Sequence, residues 1–154
     1  MYTKRLRQLL FALPLLIGSA LPGLADEASV NKTIDEQLGD HTKYQAVIVA
    51  LQKAVAEHDA KGVAALVSYP IGVEINGKET NVKSAEVFEE NYDGIITPSI
   101  ADAITKQQYG DLFVNYQGIM FGDGEVWISG VCLDDACKEF DAKVSTIQDT
   151  SDLK

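Results

Sequence analysis

The strongest constraint on the fold is a two-residue alternation near the carboxyl end of the chain. Phe140, Ala142 and Val144 alternate with charged or polar residues, and residues 125–133 form another strand-like run before them. A period of two buries one face of a strand and leaves the other face in water. This pattern is typical of an antiparallel sheet that is covered on one side only.

The segments upstream of these strands predict helices. In residues 42–58, apolar residues recur at helical spacing, and Asp59 stands where a cap for a second, short helix is expected. Ser84 is placed to cap a third helix over residues 85–96. Thr97, followed by a proline, predicts the start of a fourth helix.

Two further segments predict β-structure. Residues 71–83 form a hairpin signal around Asn76-Gly77, because both residues tolerate a positive φ. Residues 112–121 read as one strand with a bend at Gly118. The complete order predicts an α+β fold in which N-terminal helices pack on one face of a single curved antiparallel sheet, often as a cone.

The N-terminus has the three parts of a secretory signal peptide. An apolar run from Leu9 to Leu21 is followed by small residues that end at Ala25, and basic residues precede it at Lys4, Arg5 and Arg7. We expect cleavage after Ala25 and export to a periplasm. The alternative, an N-terminal anchor helix, would need a longer apolar run, since a membrane span takes about 20 residues.

The remaining chain is short enough for one domain. Residues 26–40 are polar and weakly patterned, so we expect a flexible leader there. Residues 41–154 are expected to form a single α+β domain. After cleavage of residues 1–25, the sequence predicts no membrane span.

The charge of the chain restricts its partners. Acidic residues outnumber basic ones by 23 to 13. Three of the basic residues lie in the first 25, so the mature chain keeps 10 basic against 23 acidic residues, a formal balance of −13. Nucleic acid and anionic membranes need a basic face, so both are excluded as partners. A basic protein partner is allowed, although acidic charge also serves solubility alone.

The two cysteines, Cys132 and Cys137, enclose the sequence LDDA. Two thiolates without further ligands do not make a zinc site, and a thioredoxin-like couple has C-x-x-C spacing. We therefore predict no metal site, no cofactor and a disulfide between residues opposite each other at the ends of two strands. The disulfide is worth roughly 2 kcal/mol in the chain-entropy model. It would also fix the display of Asp134 and Asp135.

Several short blocks resemble the nuclear transport factor 2-like superfamily, which includes ketosteroid isomerase-like and polyketide cyclase-like members. The blocks are EHDAKGVAALVSYP, IGVEINGKE and YQGIMFGDGEVWISGV, and the resemblance covers about residues 42–148. Secreted bacterial members without an assigned reaction look more similar still, with VSYP, YDGI, GEVWI and a C-x₄-C hairpin. The resemblance implies a cone-shaped, cystatin-like fold with a pocket, and in many members a dimer through the open sheet face. The fold alone selects no function.

An isomerase-like reaction needs an aspartate base and a tyrosine in an apolar pocket. The catalytic candidates are Asp93, Tyr92 and Tyr69, and no motif assigns the role to any of them. Asp93 also suits a turn residue that bonds to backbone at a helix end. Tyr69, which precedes Pro70, also suits a core aromatic residue that closes a helix.

The predicted ligand-binding residues are Tyr116, Met120 and Trp127. Trp127 has the opposite strand parity to its two neighbours, so it lies either in the core or on an exposed contact surface. The sequence does not fix which face carries it, because Gly118 interrupts the parity of the preceding strand.

Three functions are compatible with these features. The leading hypothesis is an exported, non-catalytic binding or accessory protein that holds a small apolar ligand or a protein partner. The second is an isomerase- or dehydratase-like enzyme that uses a pocket acid and a tyrosine. The third is an acidic inhibitor or immunity protein for a basic envelope enzyme, in which Asp134 and Asp135 meet a cationic cleft.

Overall fold

The computed structural model describes residues 22–150. Residues 1–21, with most of the predicted signal peptide, lie outside the described residues, so cleavage after Ala25 stays a prediction. Within the described range, no helix has the length and apolar character that crossing a membrane requires.

Helix α1 (Pro22–Gln37) occupies most of the segment that we expected to be a flexible leader. Val30 and Ile34 lie four residues apart on one helical face, and both are buried. The hydroxyl of Tyr109 donates a 2.6 Å hydrogen bond to the side-chain oxygen of Asn31. The expectation for residues 26–40 was therefore wrong, because two apolar residues and one polar contact are enough to pack this helix on the rest of the protein.

The paired helices predicted next are α2 (His41–Ala56) and α3 (Ala60–Leu66). Asp59 caps α3 as predicted, since its carboxylate accepts the Gly62 N–H at 2.9 Å. The buried residues of α2 are Tyr44, Ile48, Leu51, Ala54 and Val55.

The predicted hairpin is formed by β1 (Ile71–Ile75) and β2 (Lys78–Val82). Its turn residues have positive φ, 53° at Asn76 and 76° at Gly77. These two strands form a sheet of their own. The expectation of a single sheet was therefore wrong.

Three short helices follow: α4 (Ala85–Glu90), α5 (Tyr92–Ile95) and α6 (Pro98–Lys106). Ser84 and Thr97 cap α4 and α6 as predicted, by accepting backbone N–H groups three residues on. The expected helix over residues 85–96 is divided at Asn91, whose backbone leaves the helical region.

The second sheet is antiparallel, and its strand order follows the chain. Its strands are β3 (Phe113–Asn115), β4 (Gly118–Phe121), β5 (Val126–Cys132) and β6 (Phe140–Ile147). The run that we expected to be one strand is the β3–β4 hairpin, because the Asn115 side chain accepts the Gln117 N–H and turns the chain. Gly118 lies so close to β5 that a Cβ there would be 2.4 Å from the Ile128 carbonyl oxygen.

One side of the four-stranded sheet belongs to the same hydrophobic core as the helices. The buried residues on this side are Ile119, Phe121, Val126, Ile128, Ala142, Val144 and Ile147. The alternation predicted for β6 holds up to Val144 and then shifts, because Trp127 pairs with Thr146 while Ile128 pairs with Val144. This bulge leaves Ser145 as an extra residue. The protein is thus α+β, with two antiparallel sheets that do not close into a barrel.

Candidate functional site

The predicted catalytic residues do not converge in an apolar pocket. The side chain of Asp93 is 83 % exposed, and its carboxylate lies 3.1 Å from Nε2 of His58. The hydroxyl of Tyr69 donates a 2.9 Å hydrogen bond to the Ala64 carbonyl. Burial raises the pKa of Tyr69 to about 12. Tyr69 therefore closes the end of α3. This is the role that the sequence analysis gave as the alternative to a catalytic one.

Tyr92 is a core residue, whereas Tyr69 is partly buried against the core. The Tyr92 ring lies nearly perpendicular to the His58 ring at a centroid distance of 5.0 Å and packs against Phe88. Burial raises the pKa of its hydroxyl, so the group stays protonated at neutral pH. Tyr92 and Asp93 border the same open hollow, but Glu89 and Glu90 also line it, which makes the site polar and acidic.

A smaller cavity of about 160 Å³ lies between the β1–β2 turn, α5 and the end of β6. Its apolar lining includes Ile95, and its polar lining includes Glu74 and Asp93. Sites for drug-sized ligands usually have about 300–1,000 Å³ and mostly apolar walls. This cavity does not meet that description.

Sequence reasoning missed one buried acid, Glu125, which is 5 % exposed. Its carboxylate accepts hydrogen bonds from the Asp123 N–H and from the hydroxyl of Thr150. Its backbone carbonyl accepts the Gln148 N–H at 2.9 Å. Glu125 therefore ties the turn before β5 to the segment after β6. Its position beside an apolar strand is the only sequence signal, and it does not distinguish a buried acid from an exposed one.

The side of the four-stranded sheet that points away from the core carries two of the three predicted ligand-binding residues, Met120 and Trp127. We call this side the outward face and define it by six residues: Phe113, Met120, Trp127, Ser129, Val131 and Thr146. Phe113 pairs with Met120, Met120 with Trp127 and Trp127 with Thr146, so a stripe of side chains crosses all four strands. With strands about 4.8 Å apart, the stripe is roughly 14 Å wide.

The aromatic side chains of the outward face hold each other in place. Trp127 is half-buried, and its ring meets that of Phe113 in a T-shaped contact at 6.5 Å. Phe113 is still 51 % exposed. Such edge-to-face contacts orient aromatic rings without covering them. The stripe therefore presents ordered apolar surface to solvent.

A shallow hollow adjoins Trp127. It is lined by Gln117, Trp127, Ser129, Ser145 and Thr146, and none of these residues is charged. The Ser129 hydroxyl lies 2.8 Å from the Gln117 carbonyl, to which it donates, and 2.9 Å from the Ser145 hydroxyl. The hollow is therefore polar and neutral beside an apolar stripe.

The three predicted ligand-binding residues do not line an interior cavity. Met120 and Trp127 pair with each other on the outward face, and Tyr116 lies in the β3–β4 turn with 76 % of its surface exposed. Sequence parity could not place them, because the turn at residues 116–117 and the bulge beside Trp127 both reset the alternation. Whether these residues bind a ligand stays a prediction.

The predicted disulfide joins Cys132 and Cys137, whose Cα atoms are 4.8 Å apart. The two residues are not opposite each other, because the strand partner of Cys132 is Phe140. Cys137 lies in the loop, with a φ of 50°. The position expected for the second cysteine was therefore wrong, and the disulfide closes the loop that joins β5 to β6.

The carboxylate of Asp134 is used inside this loop. It accepts backbone N–H groups from Ala136 at 2.8 Å, Lys138 at 3.2 Å and Glu139 at 2.9 Å. These bonds, with that of Glu139 the largest cause, hold the pKa of Asp134 below its usual value. Asp134 was expected to face a partner, but its oxygens already bind the loop backbone.

The fold and the outward face place the chain among α+β proteins whose sheet has one buried side and one open side. No family model, no curated protein and no solved structure matches the chain. The resemblance to the nuclear transport factor 2-like superfamily therefore stays a prediction from its sequence blocks. Within residues 22–150, no group of three or more His, Cys, Asp or Glu side chains is arranged to hold a metal ion.

Proposed function

We propose that the protein is an exported, non-catalytic binding protein that holds a protein partner on its outward face. The observation that carries the proposal is the partly exposed stripe of Phe113, Met120 and Trp127 across the four-stranded sheet, in which Phe113 is exposed and the other two side chains are half-buried. Aromatic residues and methionine are enriched at the centres of protein interfaces. Tryptophan is also among the residues that contribute most to binding energy there.

Export is the second part of the proposal. It rests on the basic and apolar segments that precede Ala25 and on the disulfide between Cys132 and Cys137. Disulfides persist in oxidising compartments such as the periplasm. The cone-shaped, nuclear transport factor 2-like fold belongs to the same proposal, and the order of helices followed by an antiparallel sheet supports it.

A protein partner fits the geometry better than a small apolar ligand does. The inward side chains Ile119, Phe121 and Ile128 are fully buried in the core, and the cavity beside Asp93 is small and has acids as well as apolar residues in its lining. An apolar ligand would need an enclosed apolar cavity. The outward face is instead open and broad, as interfaces between proteins are.

A different protein is a better occupant than a second copy of this chain. The formal charge is −10 for the whole sequence, and removing residues 1–25 makes it more negative. Two identical acidic molecules repel each other as they approach, whereas a partner with basic groups around its contact surface is attracted. The inhibitor hypothesis is one case of such a partner.

Photo-cross-linking in intact cells tests the proposal. A photo-reactive amino acid replaces Phe113 in one strain and the exposed helix residue Val49 in a control strain. We expect one discrete adduct with a different protein at position 113 and none at position 49. A second substitution, Trp127→Ser, should lower the yield at position 113 at least about tenfold, because a central tryptophan typically contributes 2 kcal/mol or more.

Thr146→Lys supplies a variant that keeps the tryptophan packing and still disturbs the outward face. It places a charge beside Trp127, and it should also suppress the adduct. An adduct between two copies of this chain would assign the outward face to self-association. The same adducts at positions 113 and 49 would show that the outward face has no special affinity for protein.

A further inference from the structure

The loop 132–138, which the disulfide closes, continues the outward face beyond the end of β5. In β5, Trp127, Ser129 and Val131 point outward, and the alternation places Leu133 on the same side. The Leu133 N–H donates a 2.8 Å hydrogen bond to the Glu139 carbonyl, so the strand ladder continues one residue beyond β5. Leu133 lies six positions after Trp127, which corresponds to roughly 20 Å along an extended strand.

Leu133 is an exposed apolar side chain on a loop that a disulfide closes. It is 58 % exposed. The disulfide, the three hydrogen bonds to the Asp134 carboxylate and a 3.0 Å bond from the Cys137 N–H to the Asp134 carbonyl fix the loop around it. A side chain displayed on a preorganised loop binds with little further loss of conformational entropy. An exposed leucine on such a loop has the properties of an interface anchor.

The surroundings of Leu133 are acidic. Asp135 lies in the loop, Glu139 bonds to Leu133 through the backbone, and Asp141 is the strand partner of Val131. Within residues 22–150, none of these three carboxylates takes part in an ion pair. Lys138 is the one basic residue between Cys132 and Asp141. The Lys43 ammonium donates a 2.8 Å hydrogen bond to the Phe140 carbonyl, so Lys138 and Lys43 stand against three acids. The loop end of the outward face therefore combines an apolar anchor with an excess of negative charge.

We infer that the loop 132–138 is a second anchor for the same partner, and that the partner is a basic protein with an apolar socket rimmed by Lys or Arg. The inference rests on the proposed function, because it assigns the charge and shape of what the outward face binds. The end of the outward face that carries Phe113 and Trp127 contacts an apolar part of the partner. At the other end, Leu133 enters the socket. Asp135, Glu139 and Asp141 face the basic rim, which fixes the orientation of the complex.

Cross-linking from two positions separates this inference from the proposed function. A photo-reactive amino acid replaces Lys138 in one strain, which leaves Leu133 intact, and Phe113 in another. We expect both positions to give an adduct with the same basic protein. An adduct at 113 without one at 138 overturns the loop assignment and leaves the proposed function standing. An adduct at 138 alone overturns the proposed contact at Phe113, and adducts at neither position overturn both.

Affinity measurements with the cross-linked protein, once purified, test the anchor itself. Leu133→Ser should weaken binding at least about tenfold, as loss of an interface anchor does. Val49→Ser removes an apolar side chain of nearly equal exposure, 57 % against 58 %, and should leave the affinity unchanged. Equal affinities for the two variants would rule out Leu133 as an anchor.

The salt dependence of the affinity tests whether the partner is basic. The wild-type affinity should fall as salt rises, because screening weakens the attraction between the acidic loop and the basic rim. The double variant Asp135→Asn/Glu139→Gln should bind more weakly with a shallower salt dependence, whereas the distant Glu79→Gln should match the wild type. A partner that is neutral or acidic, or an unchanged salt dependence in the double variant, would overturn the assignment.

Discussion

At the residue scale, Asp134 shows how a single carboxylate organises a loop. Its oxygens accept the backbone N–H groups of Ala136, Lys138 and Glu139, three donors that would otherwise need water. Aspartate is suited to this role because its short side chain reaches the backbone a few residues further on. The disulfide and Asp134 constrain the same loop, one through a covalent bond and the other through an ionised group, so only the second constraint depends on pH.

The loop should therefore loosen only at low pH. Because the folded-state pKa of Asp134 is lowered, its contribution is complete above the unfolded-state pKa of about 3.9 and is lost as pH falls through the lower folded-state pKa. In an NMR titration, we expect the amide signals of Ala136 and Glu139 to shift with a midpoint below about 3.9. Asp134→Asn should abolish that transition. A midpoint at or above 3.9, or the same transition in the variant, would contradict the role given to Asp134.

At the scale of elements, α1 is the clearest difference between expectation and structure. Residues 26–40 are mostly polar, and their apolar residues are too few to form a continuous stripe. The helix is nevertheless packed, because Val30 and Ile34 meet the core and Asn31 bonds to Tyr109. Tertiary contacts of this kind supply most of the stability of a helix in a protein.

Substitution of Ile34 tests whether α1 is a structural element. Ile34 is fully buried, so Ile34→Ala should lower the free energy of unfolding by about 2–5 kcal/mol in urea denaturation. The exposed Glu36→Ala on the same helix should stay within about 0.5 kcal/mol of the wild type. If both variants unfold at the wild-type urea concentration, the segment is a leader after all, as the sequence alone suggested.

The elements that the sequence predicted correctly depend on local interactions. Ser84, Thr97 and Asp59 were predictable as caps, and Asn76-Gly77 as a turn, because each interaction spans a few residues and depends on local chemistry. The association of α1 with the rest of the fold was not predictable, because it depends on residues more than 70 positions away.

The candidate site was predictable only in its composition. Residues Phe113, Met120 and Trp127 come together through strand register. The register here is set by the β3–β4 turn and by the bulge between Trp127 and Ile128. A shift of one residue reverses the face of every side chain that follows. Composition therefore indicated an aromatic contact residue, while its position on the open side of the sheet required the fold.

At the scale of the whole molecule, charge and apolar surface are separated. The sequence has 23 acidic and 13 basic residues, with a calculated isoelectric point of about 4.5. The stripe of Phe113, Met120, Trp127 and Thr146 has no charged member. Net charge keeps an acidic protein dispersed even when it exposes apolar surface. The outward face can thus stay open to a different partner while copies of the chain repel each other.

This balance predicts the oligomeric state of the chain that the proposed cleavage after Ala25 would leave. At pH 7.5, we expect a monomer by sedimentation velocity, because the repulsion between identical acidic molecules outweighs contact through a patch of modest area. Removal of residues 1–25 takes away three basic residues, so the isoelectric point of the cleaved chain lies below the value of about 4.5 for the whole sequence. As pH falls through 4.5 toward that point, carboxylates become protonated and the net charge approaches zero, so self-association through the outward face should appear. Trp127→Ser should reduce this self-association, whereas Val49→Ser should not. A stable dimer at pH 7.5 that Trp127→Ser dissociates would instead make a second copy the natural occupant of the outward face.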